Sequence, residues 1–169
     1  MTTAKKTFKK LQKGFTLIEL LIVIGILAVL MGIVLVAINP AKQFAQANNT
    51  KRQADVNTIL NAISQYQADH KGALPIDAQN NTIDSNTREI KSNDGAGTNT
   101  TGIDLCSILA PTYVASLPTD PASSVGGAQV ANCSSYDTGY TVVATNVSNS
   151  NRVTVTAPLA VGESISVTR

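Results

Sequence analysis

The sequence predicts an α+β protein: a long N-terminal α-helix, membrane-spanning in its first half and amphipathic in its second, packed on a C-terminal antiparallel β-sheet of three to four strands. Three observations predict it. Phe15 to Ile38 form one apolar run; from Ala41 to His70 apolar residues recur at spacings of three and four; and beyond residue 140 three short segments are rich in β-branched side chains. The chain divides into a basic leader (1–14), a hydrophobic helix (15–38), an amphipathic continuation (39–71) and a globular head (72–169).

The run FTLIELLIVIGILAVLMGIVLVAI holds 24 residues, whose only non-apolar members are Thr16, Glu19 and the glycines at 25 and 32. At about 1.5 Å per residue such a helix is roughly 36 Å long, enough to cross a hydrocarbon core of about 30 Å. A cleaved secretory signal is the competing reading, because Lys5, Lys6, Lys9, Lys10 and Lys13 precede the run. Signal cores are shorter, about 7–15 residues, and the small-x-small triplet Ala45-Gln46-Ala47 lies well past the end of the run.

Neither a signal peptide nor a plain anchor explains Glu19. A carboxylate one turn inside an apolar helix is costly, so a cation at similar depth is expected to pair with it. Cutting the chain between Gly14 and Phe15 would place a new α-amino group four residues before Glu19, within reach in the same chain or between staggered chains.

A short Lys-rich leader, then Lys13-Gly14-Phe15-Thr16-Leu17-Ile18-Glu19, then a hydrophobic helix: this order resembles the type IV prepilins and the related pseudopilins. The close match covers about the first 70 residues. The resemblance implies leader cleavage between Gly14 and Phe15 by a prepilin peptidase, N-methylation of Phe15, and Glu19 as the assembly carboxylate. The implied partners are identical or related pilin subunits in a helical homopolymer, the peptidase, an inner-membrane assembly platform, and membrane lipid before assembly. Removing the leader changes the charge: 13 basic and 11 acidic residues become 8 and 11, a net of −3. Five lysines without an acid on the leader fit an N-terminus held in the cytoplasm. The expected locations are therefore the inner membrane before assembly and an extracellular filament or periplasmic pseudopilus after it.

Past the run, Pro40 is expected to kink or locally unwind the helix, since it lacks a donor and clashes with the preceding turn. Gly25 and Gly32 are weak points, and Ala28 with Gly32 forms a small-xxx-small pair for close helix approach. From Ala41 onward Phe44 and then Val56, Ile59, Leu60, Ile63 and Tyr66 mark an apolar stripe ending near Lys71-Gly72, whose upper half is expected to pack on the sheet, a partner-binding groove being the alternative.

Residues 75–105 are rich in Asn, Thr, Asp, Ser and Gly and read as an exposed connecting loop with one short element around Ile83 to Ile90. Short helical turns are expected between Ile103 and Ala115. They stop at Leu117-Pro118-Thr119-Asp120-Pro121, which is similar to a stretch before the sheet in several pilin-like proteins. Strands are expected at Tyr140–Thr145, Arg152–Ala157 and Ser164–Thr168.

Cys106 and Cys133 are the only cysteines. In an oxidising exterior a bridge between them would close a loop of about 28 residues and stabilise by roughly 3–4 kcal/mol. The alternatives are a metal site or a reactive thiol, but two cysteines and the distant His70 fall short of a structural zinc set. Asp120 and Asp137 are the calcium candidates that the pseudopilin resemblance suggests, yet no Asp-x-Asp-x-Asp-Gly spacing supports them, and plain turn carboxylates are the simpler reading. No metal site and no cofactor are expected.

No catalytic residues are expected either: the lone His70 has no glycine-flanked nucleophile to serve, and it reads as a helix C-terminal or solvated side chain. Five Asn-x-Ser/Thr triplets, at Asn48, Asn80, Asn99, Asn132 and Asn146, fall within chance for this composition. The expected function is that of a filament subunit. The alternatives are a type II secretion pseudopilin, or a tip subunit or adhesin that binds DNA or surfaces through the 75–105 loop. Nucleic acid is not expected as a partner, because that loop holds Arg88 and Lys91 against Asp77, Asp84, Glu89, Asp94 and Asp104.

Overall fold

The computed structural model describes residues 14–92, 102–122, 127–147 and 150–169. Residues 1–13 of the leader with their five lysines, Asp94, the Asn99 triplet and Ser148 of the Asn146 triplet lie outside the described residues. The chain forms two compact units, residues 1–43 and 44–169.

In the first unit helix α1 (Leu17–Ile38) is 22 residues long, and every one of them is exposed. It is long and apolar enough to cross a membrane. It stops because Asn39 adopts a left-handed conformation, φ 46° and ψ 79°, which asparagine tolerates better than other side-chain-bearing residues. Helix α2 (Pro40–Asp69) then opens on proline, whose fixed φ suits a first turn and whose missing N–H is no loss there. Asn39 also caps α2: its carbonyl accepts from the Lys42 N–H at 3.1 Å and its side-chain oxygen from the same group at 3.4 Å.

In the second unit α2 buries Val56, Ile59, Leu60, Ala62 and Ile63, the three-and-four spacing of the stripe. The cover is a five-stranded sheet of order β2-β1-β3-β4-β5, made of β1 (Arg88–Lys91), β2 (Gly102–Ile103), β3 (Asp137–Val147), β4 (Ser150–Ala157) and β5 (Ile165–Thr168). Strands β3, β4 and β5 are the antiparallel meander that the β-branched segments predict, with Val142 opposite Val155, Ala144 opposite Val153 and Ala157 opposite Ile165. Tyr140, Val142 and Ala144 on β3 and Val153, Val155 and Ala157 on β4 alternate into the core, the period of two that a half-buried strand requires.

The sheet departs from the expected three or four antiparallel strands because it is mixed. β1 pairs antiparallel with β3 and parallel with β2, Glu89 lying opposite Gly102. Both added strands come from the stretch expected to be an exposed loop, and it supplies Ile83, Ile90, Ile103 and Leu105 to the core. Strands of four and two residues are too short to show a period, and Asn, Thr and Asp around them mask the isoleucines.

Helix α3 (Cys106–Leu109) is a single turn, and Cys106 is bonded to Cys133 with Cα atoms 5.3 Å apart. Beside the bridge the Tyr136 hydroxyl donates to Asp104 at 2.7 Å and accepts the Cys106 N–H at 3.1 Å.

Candidate assembly site at the N-terminus of the apolar helix

Gly14, Phe15, Thr16 and Glu19 lie together where α1 begins. Gly14 has no neighbour within 4 Å of where a Cβ would stand, and Phe15 is 92% exposed. Thr16 is the extended residue before the helix, φ −81° and ψ 151°. Its hydroxyl accepts the Glu19 N–H at 3.2 Å, while its own N–H and hydroxyl both donate to Glu19 Oε2 at 2.8 Å. This reciprocal capping satisfies two of the four N–H groups that every helix start leaves open. Among the described residues no cation stands at the depth of Glu19. Its partner is Thr16, and both bonds use Oε2, so Oε1 makes no hydrogen bond there.

Thr16 is therefore a site residue that the sequence reading passed over. The available signal was the pattern Thr-x-x-Glu directly before an apolar run, which is the sequence form of a capping box. The other expected positions belong to other elements: Pro40 opens α2, and Cys106 and Cys133 are paired in the head.

The second unit, residues 44–169, holds another polar constellation, and this one is buried. Arg52 and Asp120 are both buried and bonded twice, Nε to Oδ2 at 2.7 Å and Nη2 to Oδ1 at 2.9 Å, while Arg52 Nη1 donates to Asn49 at 2.8 Å. Asp120, read from sequence as a turn carboxylate and calcium candidate, is thus the counterion of α2. Burial works to raise its carboxyl, but the bonds from Arg52 and from the Ala122 N–H outweigh it and hold the group below its ordinary range. The bonds to Asp120 raise the Arg52 guanidinium in turn. One turn on, burial pushes Asp55 up although Tyr140 donates to it at 2.8 Å. Burial and then the bond to Asp55 push the Tyr140 hydroxyl up as well.

Lys51 donates to the carbonyls of Gly127, at 2.6 Å, and Thr119, at 3.3 Å, so the neighbouring cations of α2 grip one loop. Gly127 has φ +74°, and a Cβ there would stand 2.9 Å from Lys51 Nζ and 3.0 Å from the Pro121 backbone, which accounts for glycine.

The remaining candidates do other work. Asp137 accepts the Gly139 N–H at 2.9 Å at the start of β3. His70 stacks on Tyr66 with centroids 3.9 Å apart, and its Nδ1 lies 2.9 Å from the Tyr66 carbonyl at the end of α2. Among the described residues no three His, Cys, Asp or Glu side chains gather as a metal would need.

The family model for the prokaryotic N-terminal methylation motif matches residues 9–35, the segment that contains Gly14, Phe15, Glu19 and most of α1. No curated protein and no solved structure matches the chain. The matched segment and the helix that follows Gly14, which is long and apolar enough to cross a membrane, coincide: residues 9–35 carry the N-terminal methylation motif of type IV prepilin-like leaders.

Proposed function

We propose that the chain is the structural subunit of a type IV pilus-like filament, cut after Gly14 by prepilin peptidase, N-methylated on Phe15 and polymerised through α1. The observation that carries the proposal is the exposure of all 22 residues of α1, while residues 44–169 bury a core of their own. So large an apolar surface needs lipid around it first, with the N-terminus inside, and the helices of other subunits after extraction. Burial of those helices against one another supplies the cohesion of the fibre.

Glu19 sets the register. Cleavage gives Phe15 an α-amino group, and in an incoming subunit Oε1 of Glu19 is open to that cation on the subunit already at the base, while Oε2 keeps its bonds to Thr16. A charged pair excluded from water is worth far more than its exposed equivalent, so the staggered arrangement that makes it is selected over slipped ones. The pseudopilin of a type II secretion system would use the same chemistry at this end.

Electron microscopy of cells with and without the protein tests the proposal. Long surface fibres present only with the gene product support a pilus subunit, and short periplasmic assemblies point to the pseudopilin. Processed protein that stays monomeric refutes both.

A further inference from the structure

The charges of α2 are segregated. Between Gln43 and Ala68 the helix has three charged residues, Lys51, Arg52 and Asp55, and all three are bonded to the head. The exposed positions Thr50, Gln53, Ala54, Thr58, Asn61 and Gln65 follow one another at steps of three and four or one apart, and none is charged. A solvated helix face of this length ordinarily presents acids and bases; interface centres are where charge is depleted.

Two opposite charges flank this neutral face. Glu163, before β5, accepts from Asn49 at 2.8 Å and lines an open groove with Thr50, Gln53, Ala54 and Asn57. Arg169, after β5, donates from its guanidinium to Asn61. Their anchor points on α2 are 12 residues apart, about 18 Å at about 1.5 Å per residue. We propose that this face of α2 is the contact for a second copy of the chain, displaced along the helix so that Arg169 of one copy meets Glu163 of the next.

The occupant follows from charge. The mature chain carries −3, so a second copy would be repelled by an acidic face and accepted by a neutral one with one charge of each sign at its rim. An anionic lipid surface or a nucleic acid would need a basic cluster, which the face lacks. The inference rests on the filament reading and adds to it a lateral contact outside the apolar helix.

The test is a charge exchange in the full-length protein expressed with its own assembly machinery, reading polymer yield in the sheared fraction. Glu163→Arg and Arg169→Glu should each cut yield about fivefold, and the double variant should return it to within about twofold of the original. Thr58→Glu, in the middle of the face, should also reduce yield while the melting of the head stays unchanged. Two single exchanges without effect, or a double variant no better than either single one, overturn the contact. If the unaltered protein forms no polymer, it is the filament reading that fails.

Discussion

Replacing Arg52 by methionine probes the buried half of the architecture most sharply. The substitution keeps the aliphatic stem and removes three hydrogen bonds, two to Asp120 and one to Asn49. Asp120 then keeps the Ala122 N–H at 2.7 Å but loses its guanidinium partner. Breaking one side of a buried pair costs about 3–5 kcal/mol, because the surviving charge keeps its desolvation penalty without its partner. For a head of this size that lowers the melting temperature by roughly 10–20 °C. The assay is thermal unfolding of the head followed by circular dichroism at neutral and acidic pH.

In the native head the Asp120 carboxyl is held low, so the pair contributes above the ordinary carboxylate pKa and the contribution fades as pH falls through the folded value. Without Arg52 the same burial raises the carboxyl, which protonates readily and escapes the penalty in acid. The gap between native and Arg52→Met must therefore narrow on acidification. A gap that is the same at pH 4 and pH 7, or smaller than about 1 kcal/mol at neutrality, would refute the buried pair.

Three further outcomes are expected. Glu19→Ala and Glu19→Gln should both be trimmed normally, and both should lower polymer yield about tenfold; Gln keeps an acceptor for Thr16 but no charge, so full assembly of the Gln variant would remove the ion-pair role. Cys133→Ser opens a loop of 27 residues' separation and should cost the head about 3–4 kcal/mol, read as a matching sensitivity of the native protein to reductant; unchanged melting would contradict it. The Asp84 carboxyl is lowered to about 2, chiefly by the hydrogen bond from Arg88. Its contribution is present above the ordinary carboxylate range and lost as pH falls toward 2, so Asp84→Asn should flatten head stability between about pH 4 and pH 2, and an unaltered acid profile would count against it.

Which parts of the fold the sequence disclosed follows from how far each signal reaches along the chain. α1 needs only composition, and α2 and the β3–β5 meander repeat a period several times, so local pattern sufficed. The proline marked the end of an apolar segment, but the turn itself rests on Asn39, whose left-handed backbone is a property of conformation rather than of hydropathy. β1 and β2 are fixed by pairing with distant strands, which no window of sequence contains. Arg52 is a charged residue in an amphipathic segment, yet it stands four residues before Val56 and seven before Ile59, on the buried side. Its spacing carried the clue, and only the location of Asp120, 68 positions away, gives that clue its meaning.

At the candidate site Gly14, Phe15 and Glu19 stood out because a carboxylate inside an apolar run is expensive and therefore conspicuous. Thr16 did not, since a hydroxyl at a helix start is ordinary; its importance lies in holding Glu19 by two bonds and thereby orienting the free oxygen.

Whether proteolysis creates the cation for Glu19 is decided by the intact mass of the protein isolated from its native membranes or fibres. The chain should begin at Phe15 and carry one added methyl group on its amino terminus. A chain that still begins at Met1, or one trimmed beyond Ala47 with α1 lost, would contradict it.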